Sequence, residues 1–192
     1  MVPKLLVLAL EFHQAPLRFG HLTDPSKGLP DSFSTLLSEA GAALAPGNIQ
    51  QTAAVLGAQP DELREAFLFF VRQTLLSPQA AHYRVLGLQR QCTAEAVKRH
   101  HSLLVRMFHP DRMPGDEERS IALTARINAA YQTLRDPQAR RRYDSSLPRM
   151  SVSGRARGEE REFFRPRDPV KPLFAGARRL PSLPFRGRSA WL

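Results

Sequence analysis

His109-Pro110-Asp111 sets an imidazole, a rigid ring and a carboxylate side by side. Proline lacks the amide N–H and locks its own φ near −65°, so the loop containing it is stiff and the carboxylate is presented from a fixed backbone. Such a carboxylate forms a charge-assisted hydrogen bond with a guanidinium, a stronger contact than a neutral pair makes. Lys98, Arg99 and Arg106 lie upstream and Arg112 follows directly, so cations surround the one acidic group.

A loop of this kind needs walls. Thr93 with Ala96 and Val97 starts a helix, in which Val97, His101, Leu104 and Phe108 recur at i, i+4, i+7 and i+11 along one apolar face. Glu95, Lys98, Ser102 and Arg106 line the opposite side. Pro110 disfavours helical geometry at His109, so this helix ends close to Phe108. Leu123, Ile127, Ala130 and Leu134 make a second stripe, and two stripes joined by a loop predict an antiparallel hairpin whose faces bury each other. Asp136 as cap and Pro137 at the first helical position open a last short helix ending near Tyr143. The expected fold class is all-α.

The stretch from His82 to Asp144 resembles the J domain of DnaJ-type co-chaperones. Tyr83, Leu86-Gly87-Leu88, the tripeptide, Ala130-Tyr131, and Asp136-Pro137 through Tyr143-Asp144 fall in that family's order and spacing, over about a third of the chain. The resemblance implies a non-enzymatic protein without a cofactor or metal. Such a protein docks on a DnaK-type (seventy-kilodalton) chaperone and triggers its ATP hydrolysis. It further implies that His109, Pro110 and Asp111 carry the trigger, and that Lys98, Arg99, Arg106 and Arg112 belong to the chaperone-binding surface. Ser102 and Leu103 stand where the family usually has basic residues, His101 replaces a packing tyrosine, and Phe108 replaces the tyrosine before the tripeptide. These departures are expected to weaken the docking helix without removing it.

Cys92 is the only cysteine, which excludes an internal disulfide and a four-cysteine zinc site. The zinc-binding and Gly/Phe-rich regions of full-length DnaJ are both expected to be missing, giving a reduced type, and Cys92 reads as a plain loop thiol. Ile127 to Leu134 is also similar to the matching stretch of HscB-type iron–sulfur assembly co-chaperones. Those carry a client-binding helical domain after the J domain, whereas a tail follows here. A nucleic-acid-associated protein using the J fold as a scaffold is the competitor from another class.

The expected organisation is a helical domain over 1–77, a J domain over 80–147 and a basic Arg/Pro-rich tail over 148–192 that reads as disordered. Residues 1–80 hold 5 Lys/Arg against 7 Asp/Glu, residues 81–148 hold 12 against 7, and residues 149–192 hold 11 against 4. The basic excess thus belongs to the J-like region and the tail, where it favours acidic partners, nucleic acid or an anionic membrane without choosing among them. In the tail, Arg178 to Arg186 is an apolar stretch flanked by arginines, similar to peptides that DnaK-type chaperones bind.

Residues 1–30, with Pro3, Pro16 and Pro25, carry too weak a pattern to assign. Beyond them, Asp31 or Ser32 caps a helix to about Leu44, Asn48 caps a second through Leu56, and Pro60 opens a third to Leu76. That third helix contains Phe67-Leu68-Phe69-Phe70-Val71, is apolar almost all round and must be buried on more than one side. The last two of these helices resemble a helix-turn-helix, but an acidic start and the phenylalanines point to structural docking instead of DNA reading. A joint as short as Ser77-Pro78-Gln79 predicts that these helices pack on the J domain, and they or the tail are the expected client site. The run Leu5 to Leu10 is too short to span a bilayer and lacks a cleavage signature, so the expected location is the cytoplasm.

Overall fold

The computed structural model describes residues 3–25, 27–110, 116–147 and 165, and every regular element among them is helical. In chain order these are α1 (Lys4–Gln14), a 3-10 helix (Pro16–Leu22), α2 (Phe33–Ala43), α3 (Ile49–Leu56), α4 (Pro60–Leu75), α5 (His82–Val85), α6 (Ala94–Met107), α7 (Glu117–Arg135) and α8 (Pro137–Ser146). None of the described helices is long and apolar enough to cross a membrane.

Local sequence sets most of the ends. Thr93 Oγ1 accepts the Ala96 N–H at 3.1 Å to start α6. Asp136 accepts from Gln138 and Ala139 at 3.0 and 3.4 Å to start α8 behind Pro137. Gly57, at φ 66°, closes α3 in the left-handed region that favours glycine.

Within the first thirty residues, which the sequence pattern leaves open, Lys4–Gln14 and Pro16–Leu22 form α1 and the 3-10 helix. Pro3 and Pro16 sit ahead of these two elements or at their first turn, where the missing N–H costs nothing. Leu5, Leu8, Ala9 and Phe12 make one buried face of α1, which lies along α4. Phe12 contacts the rings of Phe19, Phe69 and Phe70 at 6.1, 5.6 and 5.6 Å. With α1 on one side and α3 on another, the phenylalanines of α4 are covered from several directions.

A single apolar cluster runs from Leu5 through α2 and α4 to Val97, Leu104, Phe108, Ile127 and Leu134. Tight joints hold it together. Gly87, at φ +65°, ends α5 as its N–H and that of Leu88 reach back to the Arg84 and Tyr83 carbonyls at 2.8 and 2.9 Å. A Cβ at Gly87 would lie 2.8 Å from Leu37 Cδ2 and 3.3 Å from Phe33 Cε1. Gly87→Ala therefore meets both backbone strain and crowding. A loss of about 1–3 kcal/mol is expected by urea denaturation.

Candidate functional site: the end of α6

The site is built on the α6–α7 hairpin. Val97, Leu104 and Phe108 are fully buried in the same cluster as Ile127, Ala130 and Leu134. His101 is only half-buried: its ring stacks on Tyr131 at 4.0 Å and 14°, and Nε2 bonds Asn128 Oδ1 at 2.8 Å. The histidine thus does the packing expected of the tyrosine it replaces. On the far side of α6, Lys98, Arg99, Ser102 and Arg106 are all exposed.

This cationic face runs directly into the tripeptide. Phe108 still belongs to the helix, its N–H donating to Leu104 at 3.0 Å, and its ring is completely buried. The Phe108 carbonyl accepts two hydroxyls from α7, Ser120 Oγ and Thr124 Oγ1, the latter at 3.1 Å. One residue later His109 is exposed, and Pro110 follows in a 3-10 conformation, partly buried. Asp111 and Arg112 lie outside the described residues.

At the other end of the hairpin, α8 braces α5. Tyr83 Oη donates to Asp144 Oδ1 at 2.8 Å and accepts Arg140 Nε at 2.9 Å, while Tyr143 Oη accepts the His82 N–H at 2.9 Å. Burial, together with the Asp144 bond, pushes the Tyr83 phenol up to about 12, against the opposing pull of Arg140. Arg140 also donates to the Arg90 and Cys92 carbonyls at 2.7 and 2.9 Å. Arg141 and Arg142, by contrast, are exposed. Burial pushes the Cys92 thiol up, with Arg140 opposing, a shift away from the reactive thiolate form.

Periodicity does not reveal a second buried face of α6, made by His100 and Leu103. Leu103 packs against Gly41 of α2 so closely that a Cβ at Gly41 would collide with its methyls. The loss of a basic residue at position 103 thus has a local reason, because α2 covers the position. The available signal is the small-residue run Ala40-Gly41-Ala42-Ala43, which lets another helix approach. His100 Nδ1–H donates to the Leu86 carbonyl at 2.9 Å, and Nε2 lies 3.4 Å from Ser38 Oγ in α2.

Burial, with Arg99 nearby, lowers the His100 pKa below its ordinary 6.5, although the Leu86 bond opposes the shift. The folded state therefore prefers neutral His100. Its contribution to stability is complete above about pH 6.5 and is lost as pH falls through the depressed folded value. His82, lowered first by burial and then by Arg126, acts in the same direction. Urea midpoints at pH 7.5 and 5.0 should show the acid loss, and His100→Asn should flatten it.

Comparison with known proteins agrees with this geometry. A family model described as the DnaJ domain matches residues 81–144. The chaperone protein DnaJ of Caldicellulosiruptor saccharolyticus is 41% identical over 63 residues, 33% of this chain and 16% of that protein. That of Thermosynechococcus vestitus is 45% identical over 64 residues, covering 32% and 16%. A DnaJ homolog subfamily C member 7 homolog of Schizosaccharomyces pombe is 31% identical over 97 residues, covering 50% and 20%. The chain thus aligns with a fifth or less of the length of these relatives. No solved structure matches. Helical hairpin, motif order and these matches together identify residues 81–144 as a DnaJ domain.

Proposed function

We propose that this chain is a J-domain co-chaperone that binds a DnaK-type chaperone in its ATP state and stimulates hydrolysis, without being an enzyme itself. The observation that carries the reading is the exposed Lys98, Arg99 and Arg106 face leading straight into exposed His109 at the end of a braced hairpin. In this reading the cations speed encounter with an acidic face of the chaperone. The His109-Pro110-Asp111 loop, with Arg112 beside it, then delivers the trigger. Residues 1–77 form a helical domain docked on the J domain of 80–147 and serve to bring a particular client or site to the chaperone. The basic segment 148–192 follows, and the cytoplasm is the compartment assigned.

Titrating the full chain into a purified DnaK-type chaperone with ATP tests this. The chaperone's single-turnover hydrolysis rate should rise and saturate, while the chain alone hydrolyses no ATP. A flat titration to high micromolar concentration overturns the reading.

A further inference from the structure

We infer that Ser120 and Thr124 are positioning residues for the tripeptide loop, acting through the Phe108 carbonyl; the inference rests on the co-chaperone function proposed for the chain. The last carbonyls of an α-helix have no intrahelical donors, and here Pro110 also brings no N–H to the turn. The peptide group joining Phe108 to His109 decides the direction in which the chain leaves the core. One end of that group is the buried Phe108 ring, and the other is exposed His109.

Both lone pairs of the Phe108 oxygen are taken by hydroxyls one helical turn apart on α7. Ser120 is completely buried with its Oγ on this oxygen, and Thr124 Oγ1 donates at 3.1 Å. The Ser120 backbone is itself tied into α7 by its N–H to Asp116 at 2.9 Å. Two donors converging on one carbonyl fix the peptide plane in a way that one donor or ring packing alone does not, since a single bond leaves rotation about its own axis. The chain is thereby oriented at His109 by α7, the helix that packs against α6 on the side away from its cationic face. A small displacement of a group that must meet a partner in one geometry costs rate far more than it costs binding.

Two measurements on the full chain test the assignment. The first needs no chaperone: NMR of the free protein compares wild type with Thr124→Val and with the Ser120→Ala, Thr124→Val double variant. The His109 amide should shift and lose order in both, more strongly in the double variant, while amides of α5 and α8 stay in place. An unmoved His109 signal overturns the proposal, and the nearly isosteric Thr124→Val is decisive even if the double variant unfolds. The second is stimulation of the DnaK-type chaperone. The maximal rate should fall about tenfold in the double variant while the half-maximal concentration changes less than about twofold, and Thr124→Ser should keep most of the rate. Equal maximal rates overturn the proposal. If wild type itself gives no stimulation, the co-chaperone reading fails, and the His109 spectrum still judges the positioning role by itself.

Discussion

Asp111→Asn is expected to reduce stimulated ATP hydrolysis to the chaperone's basal rate, with the fold unchanged. The exchange is isosteric and removes only the charge. A charge-assisted hydrogen bond contributes about 1.5–3 kcal/mol, and at about 1.4 kcal/mol per decade its loss costs roughly ten- to a hundredfold. The cost is raised further because the asparagine amide offers N–H donors to a guanidinium that has only donors. Thermal unfolding should move little, because the exchange keeps the size and shape of the side chain and only removes its charge. Single-turnover hydrolysis with matched concentrations of the two proteins reads the effect. Equal stimulation by Asp111→Asn and wild type would remove the trigger from this loop, whatever the rest of the chain does.

Arg84→Met should destabilise the fold more than Gly87→Ala or His100→Asn. The guanidinium belongs to a residue only 6% exposed, and its N–H groups are spent on carbonyls from three separate segments. Nε donates to Thr74 at the end of α4 at 2.7 Å, Nη2 to Leu22 of the 3-10 helix at 2.7 Å, and Nη1 to Lys27 beyond it. Burial pulls the guanidinium below its ordinary pKa, with the charge of Asp24 opposing, yet arginine stays protonated at any working pH. Methionine fills much of the volume but leaves these carbonyls without their donor, and a loss of about 3–5 kcal/mol follows. Against a domain stability of about 5–15 kcal/mol that is a large fraction. Arg84→Lys should recover only a part, since an ammonium is a point charge that cannot span three diverging acceptors. The urea midpoint measures both, and an Arg84→Met chain within about 1 kcal/mol of wild type would show that the three bonds do not hold the N-terminal helices in place.

The elements of the hairpin are legible because their signals are local. Thr93 and Asp136 announce helix starts by capping chemistry, and the spacing from Val97 to Phe108 marks a single face. The run Phe67 to Val71 likewise shows that α4 must be surrounded. The helix that surrounds part of it, α1, escapes a reading of the sequence because Pro3 and Pro16 look like breakers when they sit at helix starts. Spacing alone assigns His101 to the core face; the ring instead lies flat on Tyr131 at the edge, where its nitrogen reaches Asn128.

Sequence by itself determined the motif and its order, the helical character of each J-domain segment and the uneven charge, because caps, prolines and apolar periods act over a few neighbouring residues. Only the tertiary structure decided which face of α6 is covered. His100 and Leu103 are buried because α2 arrives there from about sixty residues away in the chain. It also decided that Arg84 joins three segments and that Ser120 and Thr124 hold the carbonyl ahead of His109. Contacts of that kind depend on directions in space that a one-dimensional period does not carry.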